Sequence, residues 1–475
     1  MPRTRLFCFA SILAFSLSVP ALPPSELPPP QGLQTPQVAP KAQLAAPQVP
    51  MGWNSWDAYG FTIDEAQFRA NVQVLASMKQ YGWQYAVIDE GWYMQDPFGA
   101  NTVAQKFLYD GNGLLVPVEA RFPSSANSVG FKPLADWVHS LGLKFGIHIL
   151  RGIPKQVVDE NLPIAGSSLH AADAADKSST CPWSDANYGV ADNPAGQAYY
   201  DSMLKRYAGW GLDFIKVDCI SDRPFRPTEI RQVAEAIRKT GRPILLSLSP
   251  GPTSLDNADY VARYSQMWRI ADDHWDVWLD KNKTNGEFPF GLAEEFDRIA
   301  AWNKHSRPGA WPDPDMLPEG PLRPHPGWGD PRQSRYTPDE QRTEFTLFAI
   351  SRSPLIYGGN LTELDDLTRR LMTNKDLTAI DQKAAEAKPV ETHSPVFGNA
   401  RVWFASTGVA KPKYYFAFFN PDDSAVTLHF QWNDLWLRFS GKHTATDLWT
   451  GTKTTPSEGM EVALPAHGSA IYRVE

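Results

Sequence analysis

Gly211-Leu212-Asp213-Phe214-Ile215-Lys216-Val217-Asp218-Cys219 reads with a period of two. Ile215, Val217 and Cys219 face one way and are apolar; Phe214, Lys216 and Asp218 face the other way. A strand covered by helices on both faces is apolar throughout. A strand whose inner face ends at the mouth of a parallel α/β barrel can carry charge at its C-terminal end, where such barrels place their chemistry. Lys216 and Asp218 sit at that end. A structural salt bridge in a core strand is the competing reading of this stretch, and the rest of the chain decides between them.

Outward from it, strands and helices alternate. Met51-Gly52-Trp53-Asn54-Ser55-Trp56 opens the first strand, and Thr62-Ile63-Asp64-Glu65 has the form of a capping box. Phe68, Val72, Leu75 and Met78 then recur at helical spacing, and Tyr85-Ala86-Val87-Ile88-Asp89-Glu90 is a second strand ending in carboxylates. Further strands are expected at 143–150, 213–220, 243–249, 264–271, 310–317 and 354–358, with helices at 133–141, 227–239, 338–350 and 362–373. This predicts a (β/α)8 TIM barrel over 50–387. An open doubly wound sheet is the alternative, and no glycine-rich phosphate loop follows any strand to support it. After about residue 388 short β runs such as Tyr414-Tyr415-Phe416-Ala417-Phe418-Phe419 take over, separated by turns such as Asn420-Pro421-Asp422-Asp423. They predict a C-terminal antiparallel β-sandwich over 388–475.

The chain of 475 residues is long enough for one large domain and a smaller one. Its net charge of −8 argues against a nucleic-acid partner, which needs a basic footprint. Its 17 Trp are compatible with sugar binding, because pyranose C–H faces stack on aromatic rings, although most of them serve as core filler. Residues 1–21 read as a signal peptide: Arg3 and Arg5 precede an apolar run from Leu6 to Val19, and Val19-Pro20-Ala21 suits cleavage. Residues 22–49 are a Pro-rich linker. The expected location is secreted or periplasmic, with no membrane association after signal removal. Cys181 and Cys219 remain, and in an exported chain they suggest a disulfide; two buried free thiols are the alternative.

Acidic groups end four strands: Asp89-Glu90, Asp218, Asp272-Asp273, and Asp313 with Asp315. In Gln266-Met267-Trp268-Arg269-Ile270-Ala271-Asp272-Asp273, parity puts Arg269 and Asp273 on one face. Paired carboxylates beside cations suit glycosidic cleavage, in which one is ionised at the anomeric centre and the other protonates the leaving oxygen. Lys216 beside Asp218 favours its ionised form. The ten histidines show no helical ligand pair and no HExxH, so no metal or other cofactor is expected. His274 beside Asp273 is the one suggestive neighbour. No Gly-x-Ser-x-Gly marks a serine hydrolase.

Met51–Trp56, Ile88-Asp89-Glu90-Gly91-Trp92, Phe214–Cys219, Met267-Trp268-Arg269 through Asp273, and Trp311-Pro312-Asp313-Pro314-Asp315-Met316-Leu317 occur in order. Together they resemble the signature of glycoside hydrolase family 27, the α-galactosidase and α-N-acetylgalactosaminidase family, from about residue 50 to the C-terminus. The resemblance implies a retaining exo-glycosidase acting on terminal α-D-galactosyl residues. It implies Asp218 as nucleophile and Asp273 as acid/base, with Asp272 one position away as the alternative. It also implies Lys216, Arg269 and Asp89 as hydroxyl ligands, Trp56 as an aromatic wall, and a Cys181–Cys219 disulfide. Glu90, His148, Ser249 and Asp315 complete the candidate substrate site.

Three positions depart from the family pattern. Glu90 stands where a second Asp is usual, and its extra methylene reaches towards the space of galactose's hydroxymethyl. Family members with this change can prefer β-L-arabinopyranose. Ser249 replaces a bulkier acidic residue, and His148 replaces a Tyr. The alternatives are therefore a β-L-arabinopyranosidase, an isomalto-dextranase-like glycosidase, or, in another class, a non-catalytic carbohydrate-binding protein.

Overall fold

The computed structural model describes residues 45–99, 106–283, 286–323, 330–392, 394–408, 412–435, 443–456 and 458–475. The expected signal segment 1–21 and most of the expected linker lie outside these residues.

Eight parallel strands form one curled sheet. They are β1 (Met51–Asn54), β2 (Tyr85–Ile88), β3 (Lys144–Leu150), β4 (Phe214–Asp218), β5 (Leu245–Leu248), β6 (Met267–Arg269), β7 (Trp311–Asp313) and β8 (Leu355–Tyr357). The ladder order is β7-β6-β5-β4-β3-β2-β1-β8, so β1 to β7 pair with their neighbours in sequence and β8 returns to pair with β1. Just past β7 the seam with β8 is closed: Leu317 N–H donates to Ile356 O at 2.8 Å, and Gly358 N–H donates to Leu317 O at 3.1 Å. The strands are shorter than expected, because the chain leaves the ladder to form the loops that carry the site.

Parallel neighbours require crossovers, and helices provide them. These are α1 (Glu65–Met78), α2 (Lys132–Ser140), α3 (Pro194–Trp210), α4 (Pro227–Thr240), α5 (Ala258–Tyr264), α6 (Leu292–Trp302) and α7 (Pro338–Ser351); α8 (Asp366–Met372) and α9 (Lys375–Lys383) follow β8. The capping box at α1 differs from the expected one. Asp64 accepts from Gln67 N–H at 2.8 Å and Gln67 Oε1 accepts from Asp64 N–H at 3.1 Å, while Thr62 donates to Tyr59 O at 2.7 Å. Asp is the better N-cap, and the helix starts where it stands. Helix α3 has no clean apolar stripe: Tyr199, Tyr200, Met203, Tyr207 and Trp210 carry its buried side. Its ends are nonetheless written plainly, with Asn193 accepting from Gly196 N–H at 2.8 Å, Pro194 at the first turn, and left-handed Gly211 at φ +95.

The foot of the barrel is plugged by residues expected to lie in the linker. Ala46 and Val49 are buried with Tyr85, Phe214, Leu245, Met267, Trp311 and Ile356. Trp311 Nε1 donates to Ala46 O at 2.9 Å. The small inward side chains of so short a segment show no periodicity, which is why composition alone reads as tether.

A second unit of strands packs on α7. β9 (Ala384–Val390), β10 (Arg401–Thr407), β11 (Lys413–Phe419), β13 (Ala445–Asp447), β14 (Lys453–Thr454) and β16 (Ser469–Val474) make an antiparallel sheet in the order β9-β10-β11-β16-β13-β14. β12 (Val426–Gln431) pairs with β15 (Gly459–Leu464) in a second sheet. The expected domain boundary at 387/388 falls inside β9. The near-continuous apolar run of β11 follows from burial on both faces: Tyr415, Ala417 and Phe419 join the barrel core, while Phe416 and Phe418 join a core with Leu428, Phe430 and Val462. Phe296 of α6 meets Phe419 with ring centroids 5.2 Å apart. Helix α7, pressed between barrel and sandwich, is buried on nearly all sides and shows no amphipathic stripe. No helix among the described residues is long and apolar enough to cross a membrane.

Close approach between β1 and β2 depends on Gly52, where a Cβ would lie 2.5 Å from Tyr85 O and 2.7 Å from Tyr85 Cβ. Gly52→Ala is expected to cost about 1–3 kcal/mol through the forced separation, read as a lower denaturation midpoint. An unchanged midpoint would contradict this contact.

Candidate active site

The C-terminal ends of the barrel strands open into a cavity of about 470 Å³. Trp56, Asp89, Glu90, His148, Lys216, Asp218, Ser249, Arg269, Asp273 and Asp315 all line it, so the structure brings together every site residue expected from the sequence. The period-two reading of β4 holds: Lys216 and Asp218 both open onto the cavity, while Ile215, Val217 and Cys219 are fully buried.

Asp89, at the end of β2, is almost fully buried and fully engaged. Lys216 Nζ donates to Oδ2 at 3.0 Å, Asn54 Nδ2 donates to the same oxygen at 2.6 Å, and Glu90 N–H donates to Oδ1 at 2.8 Å. Burial alone would raise its pKa, but the Lys216 and His148 charges outweigh it and hold Asp89 down at about 2. For Lys216 burial works against the cation, and Asp89, Asp218 and Asp315 reverse that and push its pKa up. Burial pushes the neighbouring Glu90 up to about 7, against the lowering effect of His148 and Lys216 and with Asp218 and Asp89 adding to the rise.

Asp218 ends β4 with Oδ1 accepting from Cys219 N–H at 2.8 Å. Oδ2 lies 3.6 Å from Nε2 of His148, which comes from the adjacent β3 and is itself buried. Burial would raise the Asp218 carboxyl, but His148, Lys216 and the Cys219 amide outweigh it and hold its pKa below the ordinary carboxylate value. His148 is correspondingly raised: burial opposes its cation, and Asp89, Asp218 and Glu90 more than compensate. Cys219 then turns through a left-handed φ of +61 and is bonded to Cys181, with Cα atoms 6.0 Å apart. Buried Arg151 braces both ends, donating from Nε to Cys219 O at 2.6 Å and from Nη2 to Thr180 O at 3.0 Å, while pairing with Glu229 at 2.7 Å.

Past β6, Arg269 is buried and pairs with Asp315 at 2.6 Å and Asp273 at 3.2 Å. Asp315 sits at φ +110, a strained angle for a non-glycine, and accepts from His274 N–H at 3.0 Å. Its pKa is pushed up to about 6 by burial, against the lowering effect of Arg269. Asp273 and Asp272 differ sharply. Asp272 is 4% exposed at its side chain and tied to Arg223 at 2.8 Å, whereas the Asp273 side chain is 40% exposed to the cavity and holds only the longer Arg269 contact. Burial raises the Asp273 pKa, with Asp272 and Asp218 adding to the rise, while Arg269 and Lys216 oppose it. His274 borders the cavity, but its ring is buried against Glu344 at 2.6 Å and Glu295 at 3.5 Å, and burial lowers its pKa to about 4. It anchors the loop that presents Asp273.

Among the described residues, Glu90, His148 and Asp218 gather ligand-type atoms within 4.8 Å of one another and could hold a metal ion. No sequence spacing announced this group, because its members come from the ends of three strands. Trp56, half-buried, meets Phe61 edge to face at 5.1 Å. Ser249 is buried against the wall, its N–H donating to Val217 O at 3.0 Å. Sequence reasoning missed Asp57, Trp183, Arg223, Trp275 and Phe288 in the lining. Asp57 directly follows the motif at 51–56, and Trp183 lies two residues from Cys181, so both carried a signal by position.

The models for Alpha galactosidase A and for the Alpha galactosidase C-terminal beta sandwich domain match residues 185–383 and 397–474. Alpha-galactosidase A of Cellvibrio japonicus is 27% identical over 451 residues, which span 92% of this chain and 94% of that protein. The crystal structure of a GH27 β-L-arabinopyranosidase from Geobacillus stearothermophilus is 38% identical, covers 90% of this chain and 97% of its own, and superposes with a TM-score of 0.82. A crystal structure of a variant of that enzyme in complex with arabinose matches equally well. With the two family models matched and a family 27 enzyme 38% identical over 90% of this chain, the chain belongs to glycoside hydrolase family 27.

Proposed function

We propose that this glycoside hydrolase is a retaining exo-glycosidase with Asp218 as nucleophile and Asp273 as acid/base. The observation that carries the proposal is the split between the two carboxyls: Asp218 is held ionised by His148 and Lys216, and Asp273 is pushed towards its protonated form. In the first step an Asp218 oxygen attacks the anomeric carbon as the glycosidic C–O bond breaks. Asp273 gives its proton to the departing oxygen, which leaves as an alcohol. In the second step water attacks the same carbon, Asp273 takes the water's proton, and the ester bond to Asp218 breaks. Two inversions retain the anomeric configuration. Asp272, engaged by Arg223, is poorly placed to exchange a proton with substrate.

The sugar has galactopyranose ring stereochemistry. Asp89 and Lys216 are positioned as an ionised pair for its hydroxyls, and the α-galactosidase relatives support hydrolysis of terminal α-D-galactosyl residues. A second substrate, β-L-arabinopyranoside, is favoured by Glu90. This longer acid lines the cavity beside Asp89, where it crowds a hydroxymethyl that arabinopyranose lacks, and the arabinopyranosidase of Geobacillus stearothermophilus supports the same reading. Export is supported by the signal-like start and by the Cys181–Cys219 bond, which needs an oxidising compartment.

Two outcomes test this. Wild type hydrolyses aryl β-L-arabinopyranoside better than aryl α-D-galactopyranoside, and Glu90→Asp moves the ratio of their kcat/KM at least about tenfold towards the galactoside; a ratio unmoved by the substitution would remove Glu90 as the determinant. For wild type, kcat/KM falls at low pH as Asp218 is protonated and at high pH as Asp273 loses its proton. Asp273→Ala flattens the alkaline limb and costs about 10²–10⁴-fold on alkyl or sugar leaving groups, but far less on activated aryl ones. Equal losses on both kinds of leaving group would contradict the acid/base assignment.

A further inference from the structure

Glu90, His148 and Asp218 stand on, or just past the ends of, the adjacent strands β2, β3 and β4. Each brings one ligand-type atom within 4.8 Å of the other two, and all three line the open cavity. Glu90 and His148 are also two of the positions at which the chain departs from its family's pattern, so the group belongs to this chain rather than to the shared motif.

His148 Nε2 and Asp218 Oδ2 are 3.6 Å apart, beyond hydrogen-bond reach. A tetrahedral zinc ion with bonds of about 2.0–2.2 Å spaces neighbouring ligand atoms about 3.4 Å apart. The two atoms are therefore spaced for a shared cation. The other ring nitrogen, Nδ1, has no hydrogen-bond partner, although the side chain is only 1% exposed. A buried polar atom left in this way is costly, and here the whole imidazole is free to act as a donor to an ion. The mount is firm. His148 lies opposite Lys216 in the β3–β4 register, and its carbonyl accepts from Trp92 Nε1 at 2.8 Å. Asp218 Oδ1 is taken by the Cys219 amide at 2.8 Å, which leaves Oδ2 on the His148 side.

The donor set narrows the ion. Three protein ligands with a side open to water are the arrangement of zinc sites that keep a vacant fourth position. An imidazole among the donors favours zinc and its neighbours over magnesium and calcium, which take oxygen sets.

We propose that Glu90, His148 and Asp218 form a binding site for a divalent transition-metal ion of the zinc type, and that the bound ion excludes the sugar. The ion is an inhibitor and not a cofactor, because it occupies the Asp218 oxygen needed at the anomeric carbon. Protons held by His148 or Glu90 leave as it binds. The metal site stands independently of the retaining-glycosidase reading; the competition with substrate rests on it.

The test uses zinc chloride and the chain without an affinity tag. Calorimetric titration of wild type is expected to show saturable zinc binding, weakened at least about tenfold in His148→Phe and in Glu90→Ala, a loss that even supporting residues of metal sites produce. In wild-type kinetics on the preferred aryl glycoside, zinc is expected to raise the apparent KM and leave kcat unchanged. No binding up to about 1 mM zinc, or zinc held as tightly by either variant as by wild type, would overturn the site. Zinc that binds but lowers kcat at unchanged KM would overturn the competition. If His148→Phe does not fold, His148→Tyr, which restores the family's usual residue, provides the same comparison. A wild type that binds zinc through these residues but is inert on every aryl glycoside would support the metal site and bring down the glycosidase reading.

Discussion

Many carboxyls share one cavity, and the rest of the site follows from how Lys216, His148, Arg223 and Arg269 divide them. Asp57, Asp89, Glu90, Asp218, Asp272, Asp273 and Asp315 all line the same space. They cannot all ionise there, because each uncompensated buried charge is strongly disfavoured. Lys216 settles on Asp89, and Arg269 settles on Asp315 with a weaker hold on Asp273. Elsewhere burial wins: it raises Glu90 to about 7 against His148 and Lys216, Asp315 to about 6 against Arg269, and Asp57 well above its ordinary value against Lys216. A fixed array of charge therefore exists before any sugar arrives, and such preorganisation is how an active site stabilises an oxocarbenium-like centre.

The barrel delivers this array by bringing many strand ends to one mouth. Two of these ends are strained: Cys219 and Asp315 hold positive φ angles, one directly after Asp218 and the other against Arg269. Each is over-determined by its surroundings, Cys219 by its disulfide and Arg151, Asp315 by Arg269 and the His274 amide. Strain of this kind persists only where neighbouring structure enforces it. Behind the Asp273 loop the enforcement comes from the His274 ring, seated between Glu295 of α6 and Glu344 of α7. Helix α7 also carries the sandwich, where Glu340 meets His467 at 2.8 Å. Removing the sandwich would expose the helix that anchors the loop carrying Asp273.

Much of this was legible in the sequence. The alternation of β4 placed Lys216 and Asp218 on the inner face, and the parity of Arg269 with Asp273 placed those two together, because side-chain period in a strand is a local property. The helical stripe of Phe68, Val72, Leu75 and Met78 was legible for the same reason. What stayed hidden depends on long-range contact. The plug formed by Ala46 and Val49 has no pattern of its own, and α7, although expected at 338–350, carries no stripe to tell that it is buried on nearly all sides. Arg151 shows nothing in sequence of its role beneath the disulfide.

The most direct measurement is covalent trapping. In a 2-deoxy-2-fluoro glycosyl fluoride of the preferred sugar the ring fluorine slows both steps and the activated fluoride leaving group restores the first, so a retaining enzyme accumulates its glycosyl ester. Peptide mass spectrometry is expected to find that label on Asp218, in the peptide that includes Phe214–Asp218. A label on another carboxylate, or turnover with inverted product and no label, would contradict the account.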